Sequence, residues 1–182
     1  MSFTGAVERI PIDVWVHPAV RVRCSAIAGD GLFIDEAVPA GTPLIRFGGT
    51  AVTTAELHEL FEDADANGTY VDTIAIGPDR HLVLRAGSIA HYGNHSCDPT
   101  MWFGAPLELV ARVDLEPGSE LTSDYGVISD DVTFEMTCRC GAAACRQVIT
   151  GRDWQLEHLQ LLHKERWPAG LQARIDARRA SE

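Results

Sequence analysis

The sharpest chemical signal in the sequence is a group of three closely spaced cysteines. They lie in Cys138-Arg139-Cys140-Gly141-Ala142-Ala143-Ala144-Cys145, where a glycine and alanines let the backbone wrap closely around an ion. Zinc favours four tetrahedral thiolate ligands in a structural site. The segment therefore predicts a zinc site whose fourth ligand comes from elsewhere, with Cys24 and Cys97 as the candidates. The alternative is a set of reduced, partly buried cysteines.

Two further segments carry polar groups suited to chemistry. Asn94-His95-Ser96-Cys97-Asp98-Pro99 is polar and turn-forming, and taken alone it is typical of a hydrogen-bonded turn. Glu120-Leu121-Thr122-Ser123-Asp124-Tyr125-Gly126 ends a strand at a tyrosine, which taken alone is more often a packing residue with a satisfied hydroxyl. The histidines lack metallohydrolase spacing and Ser96 has no evident triad, so the sequence offers no acid–base dyad.

Short strands joined by tight turns must position these segments. Apolar stretches alternate with glycine and proline, a pattern that predicts strands at 20–22, 32–34, 44–47, 70–76, 81–84, 107–113 and 120–123. The chain lacks the alternating strand and helix rhythm of a parallel sheet. Gly29-Asp30-Gly31 lacks the third glycine of a dinucleotide loop, and a strand follows it, which excludes a Rossmann or P-loop site.

Helices are predicted at two places. Residues 54–61 form a short helical insert with Thr54 as its N-cap. From Asp153 onward the chain is predicted to form a helical tail that Pro168 interrupts. In this tail the spacing of Leu156, Leu159 and Leu162 predicts one buried stripe.

Composition and charge limit the class of protein. The 182 residues suit one compact domain, with 46% hydrophobic and 23% charged residues. A net charge of −11 argues against direct nucleic-acid binding and favours a basic partner, such as a lysine- or arginine-rich peptide. Residues 1–23 lack the pattern of an export signal, and no stretch is long enough to span a bilayer. We therefore expect a cytoplasmic protein with no membrane partner, whose cysteines are thiols or metal ligands.

Taken together, four segments resemble the SET-domain family of protein-lysine methyltransferases followed by its post-SET zinc motif. In order, they are Ala28-Gly29-Asp30-Gly31-Leu32-Phe33, Asn-His-Ser-Cys-x-Pro at 94–99, Glu-Leu-Thr-x-Asp-Tyr-Gly at 120–126, and Cys-x-Cys-x4-Cys at 138–145. The resemblance covers residues 20 to 150, and the compact ending after Cys145 is most similar to short bacterial members.

The resemblance implies a mostly β fold of small curved sheets. In this fold the C-terminal segment threads under a preceding loop as a pseudoknot, which brings 94–95 beside Tyr125. It divides the chain into a lead-in (1–19), a SET domain (20–128) with the helical insert, a post-SET zinc segment (129–151) and the helical tail (152–182).

The resemblance also implies roles for individual residues. Ala28, Gly29 and Asp30 would hold S-adenosylmethionine through backbone groups, and Asn94 and His95 would contact its amino-acid and adenine parts. Tyr125 would be the catalytic residue, at the point where the methyl group passes to the lysine amine of a basic protein or peptide. The zinc ligands would be Cys97, Cys138, Cys140 and Cys145, leaving Cys24 free.

Four residues are candidates for the wall of the substrate channel: Tyr70, Tyr92, Phe103 and Ser123. For Tyr92, ordinary aromatic packing is an equal alternative. Departures from the family pattern are His91 in place of arginine, Gly93 in place of a branched residue, Thr100 in place of asparagine, and Ser123 in place of Phe or Tyr. These departures leave two rival hypotheses open. One is a catalytically silent SET-like binding module, and the other is a zinc-stabilised β-domain without a cofactor.

Overall fold

The computed structural model describes residues 10–128 and 130–181, and these residues are mostly β. The first nine residues of the predicted lead-in and Ser129, the first residue of the predicted post-SET segment, lie outside this range. The strands are β1 (Trp15–Val16), β2 (Val20–Cys24), β3 (Asp30–Ile34), β4 (Pro43–Arg46), β5 (Thr50–Val52), β6 (Thr73–Gly77), β7 (Arg80–Val83), β8 (Met101–Ala105), β9 (Glu108–Ala111), β10 (Glu120–Leu121), β11 (Glu135–Thr137) and β12 (Val148–Thr150). The helices are α1 (Thr54–Asn67), α2 (Glu157–Leu162) and α3 (Ala169–Arg179), with 3-10 turns at Ile89–Tyr92, Tyr125–Val127 and Asp153–Gln155.

The described strands form small antiparallel sheets around one main apolar core. Their strand orders are β1-β4-β9-β8, β10-β3-β2, β5-β7-β6 and β11-β12. The core is filled by side chains such as Leu32 and Ile34 of β3, Leu44 and Ile45 of β4, and Leu82 of β7. Burying one such side chain stabilises the fold by about 1.5–3 kcal/mol. The predicted mostly β fold class is confirmed.

Helix α1 has its N-cap one residue earlier, and its end later, than the sequence predicts. Thr53, rather than Thr54, is the N-cap: its side chain accepts from the Glu56 backbone N–H, and the Glu56 carboxylate accepts from the Thr53 N–H at 2.7 Å. The helix continues to Asn67 and ends at Gly68, whose φ of 63° suits glycine. Within the described ranges, no helix has the length and apolar character needed to cross a membrane.

The C-terminal helices pack against the sheets. The predicted leucine stripe is wrong for α2, because Leu159 is buried whereas Leu156 and Leu162 are 39% and 47% exposed. Helix α2 already ends at Leu162, before Pro168, which is the N-cap of α3. Helix α3 packs on β6 through Leu171 and Ile175. The backbones approach closely there, since a Cβ on Gly170 would lie 2.9 Å from the Ala75 carbonyl. The tail is therefore an integral part of the sheet's packing.

A parallel crossing brings distant segments of the chain together. His95 and Ser123 form a parallel bridge, in which the Ser96 N–H donates to the Ser123 carbonyl at 3.0 Å. The Ser123 N–H in turn donates to the Asn94 carbonyl at 3.1 Å. As the resemblance implies, this places the 94–97 segment beside the turn that carries Tyr125.

A buried histidine gives the fold an expected acid sensitivity. His163 is 1% exposed, and within the described residues neither of its ring nitrogens has a hydrogen-bond partner. Burial lowers the pKa of His163 below its ordinary value of about 6.5. The unfolded chain therefore binds the proton more readily, and stability should fall as pH drops below that ordinary pKa.

The variant His163→Leu removes one of the buried histidines whose pKa is lowered, and it should therefore reduce the pH dependence. Urea unfolding from pH 7.5 to pH 5 would measure the free energy of unfolding for wild type and variant. His58→Leu is the matched control, because His58 is exposed on α1. Equal slopes for wild type and His163→Leu would contradict the prediction.

Candidate functional site

The loop between β2 and β3 forms one wall of the candidate site. The Ser25 N–H donates to the Gly29 carbonyl at 2.8 Å, and Gly29 adopts a φ of 47°. A positive φ favours glycine, and no heavy atom lies within 4 Å of a Cβ built there. The loop thus presents the Ala28–Asp30 backbone at an open surface.

Asn94 fixes this loop from the neighbouring segment. Its side-chain amide donates to the carbonyls of Ala28 and Asp30, both at 3.1 Å, and to the Glu120 carboxylate at 2.9 Å. Glu120 also accepts from the Ser25 hydroxyl at 2.7 Å. The predicted residues Ala28, Gly29, Asp30 and Asn94 therefore lie together. Sequence reasoning did not single out Glu120, although it begins the third motif.

The side chain of His95 faces the interior of the protein. The ring is 2% exposed and lies inside the protein. Its Nδ1 accepts from the Tyr125 backbone N–H at 3.1 Å, and its Nε2 lies 3.3 Å from Cys97 Sγ. Burial lowers the pKa of His95 to about 4. This buried position leaves only the His95 backbone for contact with a ligand at the surface.

The Tyr125 hydroxyl is held in a fixed position. It donates to the Gly93 carbonyl at 2.6 Å, and the ring packs near His95 and Phe134 with centroids 5.4 and 6.5 Å away. Burial, with smaller contributions from Asp72 and Tyr70, raises the pKa of Tyr125 to about 12. Tyr125 is thus a neutral phenol at physiological pH, suited to orienting a polar group.

Tyr125 lies on the wall of a cavity of about 500 Å³. Tyr70 and Ser123, two of the predicted channel residues, also line it, and Tyr70 is 67% exposed at its edge. Of the other two candidates, Phe103 lies in the main core, and Tyr92 is not among the described residues that line the cavity. The Phe103 ring packs against Phe47 with centroids 6.4 Å apart, and Phe47 lines the cavity, as Phe61 and Phe134 do.

The cavity wall is acidic. Asp65, Asp72 and Asp131 contribute carboxylates, and the described lining residues include neither lysine nor arginine. His91 is hydrogen-bonded through Nδ1 to Asp72, its Nε2 lies 3.0 Å from the Arg85 carbonyl, and its ring meets Tyr70 edge to face. A cavity with this charge favours a cationic side chain.

Two further departures from the family pattern also have structural partners. The Thr100 hydroxyl donates to the Glu120 carbonyl at 2.9 Å and accepts from the Thr122 N–H at 2.8 Å. Gly93 supplies the carbonyl that the Tyr125 hydroxyl binds. Both positions therefore hold the strand and turn that carry the candidate site.

Four cysteines converge beside Tyr125. The Sγ atoms of Cys97 and Cys138 lie 3.8 Å apart, and ligand atoms of Cys97, Cys138, Cys140 and His95 all lie within 4.8 Å of one another. Cys145 packs against the same cluster, whereas Cys24 is exposed at the end of β2. The proximity of His95 to the cluster was not predicted.

Backbone N–H groups point at the sulfur atoms of this cluster. The N–H of Cys97 donates to Cys140 Sγ at 3.5 Å, and the N–H of Cys140 donates to Cys138 Sγ at 3.5 Å. The N–H of Arg146 donates to Cys97 Sγ at 3.3 Å, and the N–H of Gln147 donates to Cys145 Sγ at 3.4 Å. Such donors stabilise negative charge on sulfur, which a thiolate metal ligand carries. The cluster thus has the donor set and the surrounding hydrogen bonds that suit a tetrahedral metal ion.

Arg146 links the cysteine loop to the turn that carries Tyr125. Its guanidinium makes two hydrogen bonds to the Asp124 carboxylate, at 2.7 and 2.5 Å, and one to Asp153 at 3.0 Å. The Asp124 side chain is fully buried, and Asp124 also accepts from the Gly126 N–H. The sequence analysis did not predict this ion pair, although Arg146 directly follows Cys145 and Asp124 directly precedes Tyr125.

The sequence of this chain is similar to those of known proteins from one family. Residues 29–126 match the SET domain family. Similar proteins include the histone-lysine N-methyltransferases TRX1 of Oryza sativa subsp. japonica (32% identical, 69% of this chain, 13% of that protein), 2B of Homo sapiens (29%, 72%, 5%) and ash1 of Drosophila melanogaster (28%, 87%, 8%). The chain thus spans only a small part of the length of these relatives.

Solved structures agree in fold. A crystal structure of KRYPTONITE in complex with mCHG DNA and SAH superposes with a TM-score of 0.54 and 27% identity, covering 71% of this chain and 28% of that one. The methyltransferase domain of human SETMAR superposes with a TM-score of 0.59 over 72% of this chain and 58% of that one, and its 21% identity indicates the fold alone. Since the family match extends over more than half of the sequence, the chain belongs to the SET-domain family.

Proposed function

We propose that this protein is a protein-lysine N-methyltransferase that uses S-adenosylmethionine. The observation that carries the proposal is the position of the Tyr125 hydroxyl, fixed on the Gly93 carbonyl at the wall of an acidic cavity. Gly93 directly precedes Asn94, which holds the Ala28–Asp30 loop. The relatives named above are histone-lysine N-methyltransferases, and the KRYPTONITE structure contains SAH, the product left when S-adenosylmethionine has given up its methyl group.

The residues of the chain have separate roles in this reaction. When bound, S-adenosylmethionine supplies a methyl group already activated on a sulfonium sulfur. The backbone of Ala28, Gly29 and Asp30 would hold it, together with Asn94 and the backbone of His95. Because no strong acid or base is needed to activate that methyl group, alignment of the acceptor supplies most of the catalysis. The Tyr125 hydroxyl and the Gly93 carbonyl would orient the amine.

The cavity would also favour loss of the proton from the lysine amine that accepts the methyl group. A lysine amine has an ordinary pKa of about 10.4 and must lose its proton before it attacks. Entry into a cavity lined by Phe47, Ile74 and Met101 disfavours the charged form, because burial removes solvating water. The acidic wall acts at an earlier stage, since Asp65 and Asp72 would attract the charged lysine from solvent. We therefore propose a basic protein or peptide as the substrate.

Incubation of the purified protein with labelled S-adenosylmethionine and a whole-cell lysate tests the proposal. We expect methyl-lysine in basic sequences, located by mass spectrometry. Self-methylation is easily separated, because Lys164 is the only lysine in the chain. Asn94→Ala should abolish the cofactor-induced melting shift while leaving the far-UV circular dichroism unchanged. A melting shift without methyl-lysine would favour the silent binding module. Absence of both would favour a β-domain without a cofactor.

We further propose that Cys97, Cys138, Cys140 and Cys145 hold one structural zinc ion. Metal removal should release the β11–β12 hairpin, because these strands flank three of the four thiols and metal binding at such sites is coupled to folding. We expect one zinc per chain by elemental analysis, and faster proteolysis between residues 130 and 150 after chelation. Cys138→Ser should lose the zinc, whereas Cys24→Ser should retain it. A metal-free protein from chelator-free purification would contradict the proposal.

The small side chain of Ser123 predicts the extent of methylation. Ser123 lines the cavity, so space remains for methyl groups already on the amine nitrogen. The wild-type protein should therefore add more than one methyl group to a lysine, and Ser123→Tyr should shift the product toward monomethyl-lysine. Ser123→Ala, which keeps the volume small, is the matched control. Mass spectrometry of intact peptides under excess cofactor measures the products, and strictly monomethylated peptide from wild type would contradict the prediction.

A further inference from the structure

His95 lies between the cysteine cluster and the 3-10 turn Tyr125–Val127, called the catalytic turn below because it carries Tyr125. Its two ring nitrogens face different partners. Nδ1 accepts from the Tyr125 backbone N–H at 3.1 Å, and Nε2 lies 3.3 Å from Cys97 Sγ. A backbone N–H can only donate, so Nδ1 must present its lone pair to it. The proton of the imidazole is therefore on Nε2, where it faces the sulfur of Cys97.

This tautomer makes His95 a donor to the thiolate rather than a metal ligand. A ligand nitrogen needs a free lone pair, and a metal bond at Nε2 would move the proton to Nδ1. There it would face the N–H of Tyr125, another donor. The nearest carboxylate oxygen of Asp124 lies 3.7 Å from Nδ1, too far for a hydrogen bond, and it already accepts from Arg146 and Gly126.

We propose that His95 is a positioning residue that couples the metal site to the catalytic turn. One rigid ring holds the Cys97 thiolate on one side and the backbone of Tyr125 on the other. The inference rests on the proposed zinc site and the proposed methyl transfer. It implies that zinc release frees the ring, shifts Tyr125 and lowers methyl transfer, although Tyr125 itself is no ligand.

Two substitutions separate the two contacts of the ring. Asn carries its amide oxygen near the position of Nδ1, whereas Gln carries its amide nitrogen near the position of Nε2. His95→Asn should therefore keep the Tyr125 contact and weaken zinc binding by about 10–100-fold, the usual effect of losing such a hydrogen bond to a ligand. His95→Gln should keep zinc affinity within about threefold and lower kcat about tenfold or more at saturating zinc. Chelator competition and single-turnover methylation provide the two readouts.

The wild-type protein provides a test that does not depend on the variants folding. Long-range ¹H–¹⁵N NMR of the zinc-loaded protein should show His95 with its proton on Nε2, and chelation should shift the Tyr125 amide resonance. A proton on Nδ1 would overturn the proposal, as would equal zinc and kcat losses in both variants. Retention of zinc by Cys145→Ser together with its loss in His95→Asn would instead make His95 a ligand. Because the NMR and zinc readouts need no turnover, they stay informative if wild type proves inactive.

Discussion

Replacing Tyr125 with phenylalanine should lower kcat by about 10–100-fold while leaving cofactor affinity nearly unchanged. The substitution removes only the hydroxyl, whose hydrogen bond to the Gly93 carbonyl is 2.6 Å long. The ring contacts with His95 and Phe134 remain, so the turn should keep its shape. A lost hydrogen bond of about 1–3 kcal/mol in the transition state corresponds to this range of rates. Single-turnover methylation of a basic peptide measures the rate, and calorimetry measures cofactor binding.

Tyr92→Phe is the matched control for this experiment. Tyr92 lies in the neighbouring 3-10 turn, is substantially exposed and does not line the cavity. The same loss of one hydroxyl should therefore leave kcat within about twofold, since changes at exposed sites usually have small effects. If Tyr125→Phe lost cofactor binding and kcat in equal proportion, Tyr125 would be part of the cofactor site rather than of the acceptor site.

The sequence predicts those parts of the site that depend on local spacing. The three cysteines at 138–145 and the polar segment at 94–99 are short patterns, and the structure brings both to one place beside Tyr125. Apolar runs between glycines and prolines likewise predict β2, β3, β4 and β7 to within one or two residues. By contrast, the apolar pattern predicts no strand at β5, β8, β11 or β12. At β8, the Met101-Trp102-Phe103 run lies close behind the polar 94–99 motif.

Contacts between distant residues could not be predicted in the same way. Arg146 and Asp124 are 22 residues apart, and local sequence spacing does not indicate that they pair in the folded structure. Phe103 shows a second limit. Phe103 and Phe47 both belong to the main core, but only Phe47 of the two also lines the cavity. Sequence patterns indicate that a side chain is buried, but not which buried surface it joins.

Replacing Arg146 with methionine should lower the free energy of unfolding by about 3–5 kcal/mol, the usual cost of breaking a buried ion pair. Methionine fills much of the same volume but leaves the fully buried Asp124 carboxylate without its counter-charge. Asp153 keeps its hydrogen bonds from Thr150. The buried carboxylate of Asp124 is therefore the group whose negative charge loses most of its stabilisation. Urea unfolding of the zinc-loaded protein measures the loss. Arg139→Met, at an exposed arginine in the same loop, should change stability by less than about 0.5 kcal/mol.

A double variant tests whether the unpaired charge is the cause. In Arg146→Met with Asp124→Asn, the buried carboxylate is replaced by a neutral amide that can still accept from the Gly126 N–H. The double variant should therefore be more stable than Arg146→Met alone, although both substitutions alter the same site. Additive losses would show instead that Arg146 stabilises the protein through packing and its hydrogen bond to Asp153. Because Asp124 directly precedes Tyr125, variants that disorder the turn at Tyr125 should also lower kcat. The single variant Asp124→Asn removes the charge of Asp124 while Arg146 is still present, so its kcat shows the effect of the charge alone.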